Sequence, residues 1–206
     1  MNNKISMKLA VSSVAAIFLV ILYVTIFFFS AQDGVESGSL SHRVTEVIVD
    51  QVGVITQKNW TQEVKASLIR FWENPVRKMA HFSEYTGMGI LVFGIWIPWV
   101  TAEKWRLKHF RWNGIVILWV FLSASLDEWH QTMVSGRCGT IWDVLLDTSG
   151  GCFGLLLCLF FMALFLKWKQ KHSDISAGKL DYKAVNLKGE KKKLSMKKRA
   201  GGRKKG

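Results

Sequence analysis

With only three cysteines in 206 residues, none of them in a Cys-x-x-Cys pair, the chain has neither a disulfide framework nor a thiolate metal motif. Cys152 and Cys158 fall within one apolar run, and Cys138 alone lies between runs. No serine occupies a G-x-S-x-G elbow, which sets aside the common hydrolase nucleophile. There is no phosphate-cradling glycine loop, dinucleotide fingerprint or internal repeat. Acidic residues are scarce as well, with 15 Asp and Glu against 28 Lys and Arg and a net charge of +13. Most of that excess is local, because the stretch from Lys167 onward carries fifteen basic residues against Asp174, Asp181 and Glu190.

Apolar residues make up 50% of the chain and are gathered into runs. Leu9 to Phe29 holds no charge, and its 21 residues are enough to cross a hydrocarbon core of about 30 Å. That length exceeds the apolar region of a signal peptide, so the segment is expected to be an uncleaved anchor. Further runs are Thr86 to Ala102, Trp112 to Leu126 and Val144 to Leu166. The second and third reach spanning length only by taking in the polar turns His81 to Tyr85 and Asp127 to His130. The expected fold is all-α: an integral membrane four-helix bundle with an amphipathic outer segment and a disordered basic tail. The expected divisions are an N-terminal span at 1–30, the outer segment at 31–78, a three-span core at 79–168 and the tail at 169–206.

Short loops near span ends retain positive charge on the cytoplasmic side. Lys4 and Lys8 precede the first run, Lys104, Arg106, Lys108 and Arg111 join the second to the third, and the basic tail follows the fourth. Both termini are therefore expected in the cytoplasm of a bacterial plasma membrane. In the outer segment, Val44, Val47, Ile48, Gln51 and Val52 recur at helical spacing, as do Trp60, Val64, Leu68, Phe71 and Trp72, with Asn74-Pro75 expected to break the second helix. That segment either covers the polar cluster or only packs on the bundle. The tail clusters Lys191 to Lys193 and Lys197 to Arg199 suit anionic inner-leaflet lipids, and no specific nucleic acid is expected.

This topology gathers the notable residues at the outer leaflet. Arg77, His81, Glu84 and Tyr85 are spaced to share one helix face, Asp127, His130 and Gln131 share another while Glu128 points elsewhere, and Asp143 and Asp147 begin a third helix. Gly150, Gly151 and Gly154 follow them and would allow a neighbouring helix to approach closely. Arg137 lies in the link. An ionisable group at full membrane depth costs about 2.5 to 3.5 kcal/mol, so such a cluster implies pairing, a ligand or a reaction.

The segments Arg77-Lys78-Met79-Ala80-His81-Phe82-Ser83-Glu84-Tyr85, Asp127-Glu128-x-His130-Gln131, Gly136-Arg137 and Asp143-x-x-x-Asp147-Thr148-x-Gly150 resemble the VanZ-like membrane family. Phe29-Ser30-Ala31-Gln32 with Ser37 and Ser41 extends the likeness, which covers roughly residues 5 to 165. The resemblance implies a small multi-spanning bacterial membrane protein whose founding member is linked to reduced teicoplanin susceptibility, with no established molecular mechanism.

Four readings of the cluster stand open. As an enzyme, it would hold a phosphate through Arg77 and Arg137 while Asp127, His130, His81 or Glu84 moves a proton on a lipid-linked substrate. As a metal site, His81-x-x-Glu84 and Asp127-x-x-His130 would offer mixed N and O ligands to zinc or manganese, although no metal is assigned from the sequence. As structure, Arg77 and Arg137 would neutralise Glu84, Asp127, Asp143 and Asp147. As a binding site, Arg77, Tyr85, Gln131, Arg137, Asp143 and Asp147 would recognise a cell-wall lipid precursor or a glycopeptide. Which cofactor applies, if any, stays open.

Overall fold

The computed structural model describes residues 2–99 and 108–202, in two compact units, Met1–Cys158 and Leu159–Gly206. Lys104 and Arg106 of the basic link lie outside the described residues, as do the side chains of Lys108 and Arg111. Among the described residues there are five α-helices and no strand: α1 (Asn2–Ser30), α2 (Gly34–Thr56), α3 (Gln62–Trp96, then a 3-10 turn at Ile97–Trp99), α4 (Lys108–Gln131) and α5 (Ile141–Gly202).

Local chemistry sets the helix ends. Asp33 caps α2 by accepting from the amides of Val35 and Glu36 at 2.9 and 2.8 Å. At the other end Gln57 takes a left-handed conformation with φ 55°, and the amides of Gln57 and Lys58 return to Val54 and Gly53 carbonyls. Thr61 then caps α3 through Val64 N.

In the first unit, α3 is the common partner, packed against α1, α2 and α4. The core joins Ala15, Leu19 and Ile26 of α1 to Tyr85, Met88 and Val92 of α3, Val116, Val120 and Ala124 of α4, and Val144 and Leu155 of α5. Between α3 and α5 the two backbones touch. A Cβ placed on Gly89 would land on the backbone of Gly151, one on Gly150 on Phe82, and one on Gly154 on Thr86. Thr86 Oγ1 donates to Gly150 O at 3.0 Å across the same crossing. Helices α1 and α4 are clasped by polar groups, with Trp119 Nε1 donating to Tyr23 OH, which also bonds the Ser123 hydroxyl.

Two helical segments, Ile5–Ser30 and Ile141–Ser173, are long and apolar enough to cross a membrane by length and composition. Phe18, Val20, Phe27 and Phe28 are each more than half exposed on α1. Surfaces of that kind call for a hydrocarbon neighbour. The second unit is the remainder of α5, where Phe165 stacks on Trp168 and Trp168 meets His172 edge-on.

Two expectations are corrected. Asn74-Pro75 does not end a helix, since α3 runs through Pro75, giving up only the bond that its missing N–H would have made. The tail expected to be disordered continues α5 to Gly202, because it contains no proline and is rich in Lys, which favours helix. On α2 the buried side is Ser37, Ser41, Thr45, Val49 and Gly53, while Val44, Val47, Ile48 and Val52 are exposed. Small residues let α2 lie close on α3, where Lys65 Nζ reaches Glu46 at 3.1 Å and Asp50 at 2.9 Å. Those hydrogen bonds, Asp50 first, raise the Lys65 pKa above its ordinary value.

The α3–α5 crossing is testable by thermal unfolding in detergent. Gly150→Leu is expected to lose about 1 to 3 kcal/mol or more through overpacking. Gly114→Ala on α4, where an added Cβ meets nothing within 4 Å, is expected to gain up to about 1 kcal/mol.

Candidate functional site

The glycine contact brings α3 and α5 together one to two turns from their polar ends, and α4 lies alongside. His81 of α3, Asp127 of α4 and Asp147 of α5 each present a donor atom within 4.8 Å of the other two. Asp147 is 1% exposed, and neither carboxylate oxygen has a hydrogen-bond partner. The His81 Nδ1 atom is buried without a hydrogen bond, with Glu84 Oε2 at 3.6 Å. Tyr85, fully buried, keeps an unpartnered hydroxyl.

The nearby cations are occupied elsewhere. Arg137 donates from Nη2 to Phe29 O at 2.6 Å and from Nε to Gln32 O at 3.1 Å, placing its charge at the carboxyl end of α1, where helix carbonyls lack partners. Gly136, at φ +73°, turns the α4–α5 loop tightly onto Gly34, whose amide donates to Ser135 O at 3.0 Å. Burial and the charge of Arg77 both lower the pKa of Arg137. Its Nη1 also reaches Gln131 Oε1 at 3.4 Å, and Gln131 Nε2 donates to Asp127 Oδ2 at 3.0 Å. Arg77 bonds Asn74. The expected neutralisation of Glu84, Asp127, Asp143 and Asp147 by the two arginines is therefore not what the structure contains: the cation on Asp143 is Lys78, and Thr140 Oγ1 also donates to that carboxylate at 2.9 Å.

Three hollows lie around the cluster. A polar cleft of about 200 Å³ is walled by Arg77, Lys78 and His81 from α3, by Glu128 and Gln131 from α4, by Arg137 and the exposed Cys138 from the loop, and by Asp143 and Asp147 from α5. Glu128 thus belongs to the site instead of pointing away. It is 6% exposed and accepts from Thr140 N at 2.9 Å. An apolar hollow of about 160 Å³ lies between the α1 end, α2 and α3, with Phe29, Leu40, Val44 and Val76 on its walls and Arg77, His81, Glu84 and Arg137 at its polar side. A third hollow, of about 330 Å³, is bordered by Tyr23, Phe27, Leu126 and Trp129 and reaches Tyr85, Asp127 and His130. His130 stacks on Phe27 with centroids 5.1 Å apart, and its Nδ1 lies 3.4 Å from Ser30 Oγ. It is the member of the expected group that turns toward α1.

The residues missed beforehand are Lys78 and Glu128. Lys78 stands inside the motif quoted above, but its partner is 65 residues away and no spacing marks the pair. Chemically, the arrangement offers guanidinium and ammonium donors to an anionic group, an apolar slot beside them, and a buried carboxylate pair with an imidazole at the bottom.

The role of Arg137 gives a stability prediction. Arg137→Ala leaves the carbonyls of Phe29 and Gln32 without their donor and is expected to cost about 1 to 3 kcal/mol, read as a lower Tm in detergent. Arg137→Lys is expected to recover only part of this, since an ammonium lacks the planar fork that reaches both carbonyls.

The family model described as VanZ/LLP1 matches residues 15–164, nearly three quarters of the chain and every residue of the cluster. No curated protein and no solved structure matches it. With the cluster-bearing parts of all three helices inside the matched span, the chain belongs to the VanZ/LLP1 family.

Proposed function

We propose that this protein is a multi-pass component of the bacterial plasma membrane, a four-helix bundle with both termini cytoplasmic, whose outer-leaflet site holds an anionic amphiphile of the cell envelope and so alters susceptibility to glycopeptides such as teicoplanin. One observation carries the ligand class: the polar cleft and the apolar hollow share Arg77, His81 and Arg137, so a charged head and a hydrocarbon chain fit side by side. A cell-wall lipid precursor has that chemistry. The link to glycopeptides comes from the family resemblance. The exposed apolar side of α2, with Val44, Val47 and Ile48, suits the outer interface of the bilayer. The basic tail suits anionic inner-leaflet lipids, each cation contributing about 1 kcal/mol near such a surface.

A second reading is an enzyme acting on a phosphorylated polyprenyl or glycerolipid substrate. It is favoured by Asp147, an unpartnered carboxylate in the same cleft as Arg77 and Lys78. Asp127→Asn separates the two: turnover lost with binding retained supports catalysis, and binding lost supports recognition.

In a sensitive Gram-positive host, wild type is expected to shift the teicoplanin response while Asp127→Asn and His81→Ala, at equal membrane levels, do not. Equal behaviour of all three and the empty vector removes the susceptibility role. For topology, a membrane-impermeant maleimide is expected to label Cys138 in intact cells when Cys152 and Cys158 are replaced by serine. Labelling only after lysis reverses the orientation.

A further inference from the structure

The deepest part of the site has a property that an envelope ligand does not account for. Two carboxylates and an imidazole, one from each of three helices, converge below the cleft, and the surrounding cations do not pair with Asp147. That side chain is 1% exposed with both oxygens unpartnered, a state that disfavours the folded protein unless a cation or proton fills it. The His81 Nδ1 atom is buried without a hydrogen bond, and one nitrogen of that imidazole lies within 4.8 Å of an oxygen of each carboxylate.

We propose that His81, Asp127 and Asp147 bind a single divalent ion of the zinc or manganese type. Three ligands held about 2.0 to 2.2 Å from one tetrahedral ion lie roughly 3.3 to 3.6 Å from one another. The three donors, all within 4.8 Å of one another, therefore need to close by no more than about 1.5 Å, within reach of side-chain rotation. One nitrogen and two oxygens suit zinc or manganese, whereas magnesium and calcium favour all-oxygen shells and copper(I) favours sulfur.

The outer partners are in place too. Gln131 Nε2 fixes Asp127 Oδ2 at 3.0 Å, and Arg137 Nη1 reaches Gln131 Oε1 at 3.4 Å, so a hydrogen-bonded chain runs from the carboxyl end of α1 to one ligand. Metal ligands are commonly held by such second partners. Three protein ligands leave a coordination position open, and His81 and Asp147 both line the polar cleft, so that position faces it. The ligand set takes one residue from each helix, unlike the within-helix pairs His81 with Glu84 and Asp127 with His130.

This site stands independently of the envelope-ligand reading, and metal content measures it directly. Full-length protein in detergent is stripped with EDTA, desalted and reloaded with Zn²⁺ or Mn²⁺, and bound metal and Tm are recorded. Wild type is expected to hold one ion per chain and to gain Tm on loading, while Asp147→Asn and His81→Gln fall to background. Gln131→Ala is expected to keep the stoichiometry with about 10- to 100-fold weaker affinity.

Background metal and an unchanged Tm in the wild type with both ions overturn the proposal and leave a proton as the occupant of the carboxylate pair. Wild-type stoichiometry in the Asp147 and His81 variants overturns it as well, placing the ion elsewhere on the chain. Because wild-type content alone can overturn the proposal, a variant that fails to fold does not remove the test.

Discussion

The close crossing of α3 and α5 is the constraint on which the rest depends. Gly89, Gly150 and Gly154 let two backbones touch where any larger side chain would hold them apart. The same contact fixes the distance between His81 and Asp147, which lie one and three residues from the approach of Phe82 to Gly150. In a bilayer, apolar side chains gain little by leaving lipid for protein, so close backbone packing and polar bonds have to hold helices together. The Thr86 bond to Gly150 and the Trp119, Tyr23 and Ser123 clasp belong to that class of contact.

A second feature follows from where the positive charges are committed. Arg137 occupies the carboxyl end of α1, tying the α4–α5 loop to the α1–α2 turn, and Lys78 bridges α3 to Asp143. Both act as cross-links between elements distant in sequence. The carboxylates at the cluster's base are left facing an imidazole instead of a permanent cation. The architecture therefore separates cations that hold the loops from acids that are available to a visitor.

Much of this was legible in the sequence. Uncharged length marked α1, and the apolar stretch behind Asp143 and Asp147 marked the start of α5, because spanning length is a property of composition alone. Helical spacing also anticipated that faces of three helices would meet. What periodicity does not encode is which side of an amphipathic helix is covered: on α2 the covered side is the small one, Ser37, Ser41, Thr45 and Gly53, because approach distance outweighs apolarity there. Pro75 misled because a proline removes one bond without ending a helix that is supported on both sides of it. Arg137 was expected to seek carboxylates, but its partners are main-chain carbonyls, which look the same in every sequence. Glu128 was placed outside the site because its angular position on α4 was read without the Thr140 amide that draws its side chain in.

The uninterrupted run of α3 has a mechanical consequence. From Gln62 to Trp96 it is a single rod of 35 residues, about 50 Å long at the usual rise. A hydrocarbon core is only about 30 Å thick, so the rod is long enough to stand well clear of it while still carrying His81 along its length. Its far end is braced by α2 through Lys65, Glu46 and Asp50. A force applied to that braced end would turn the imidazole with it, as a tiller turns a rudder, with no loop in between to absorb the motion.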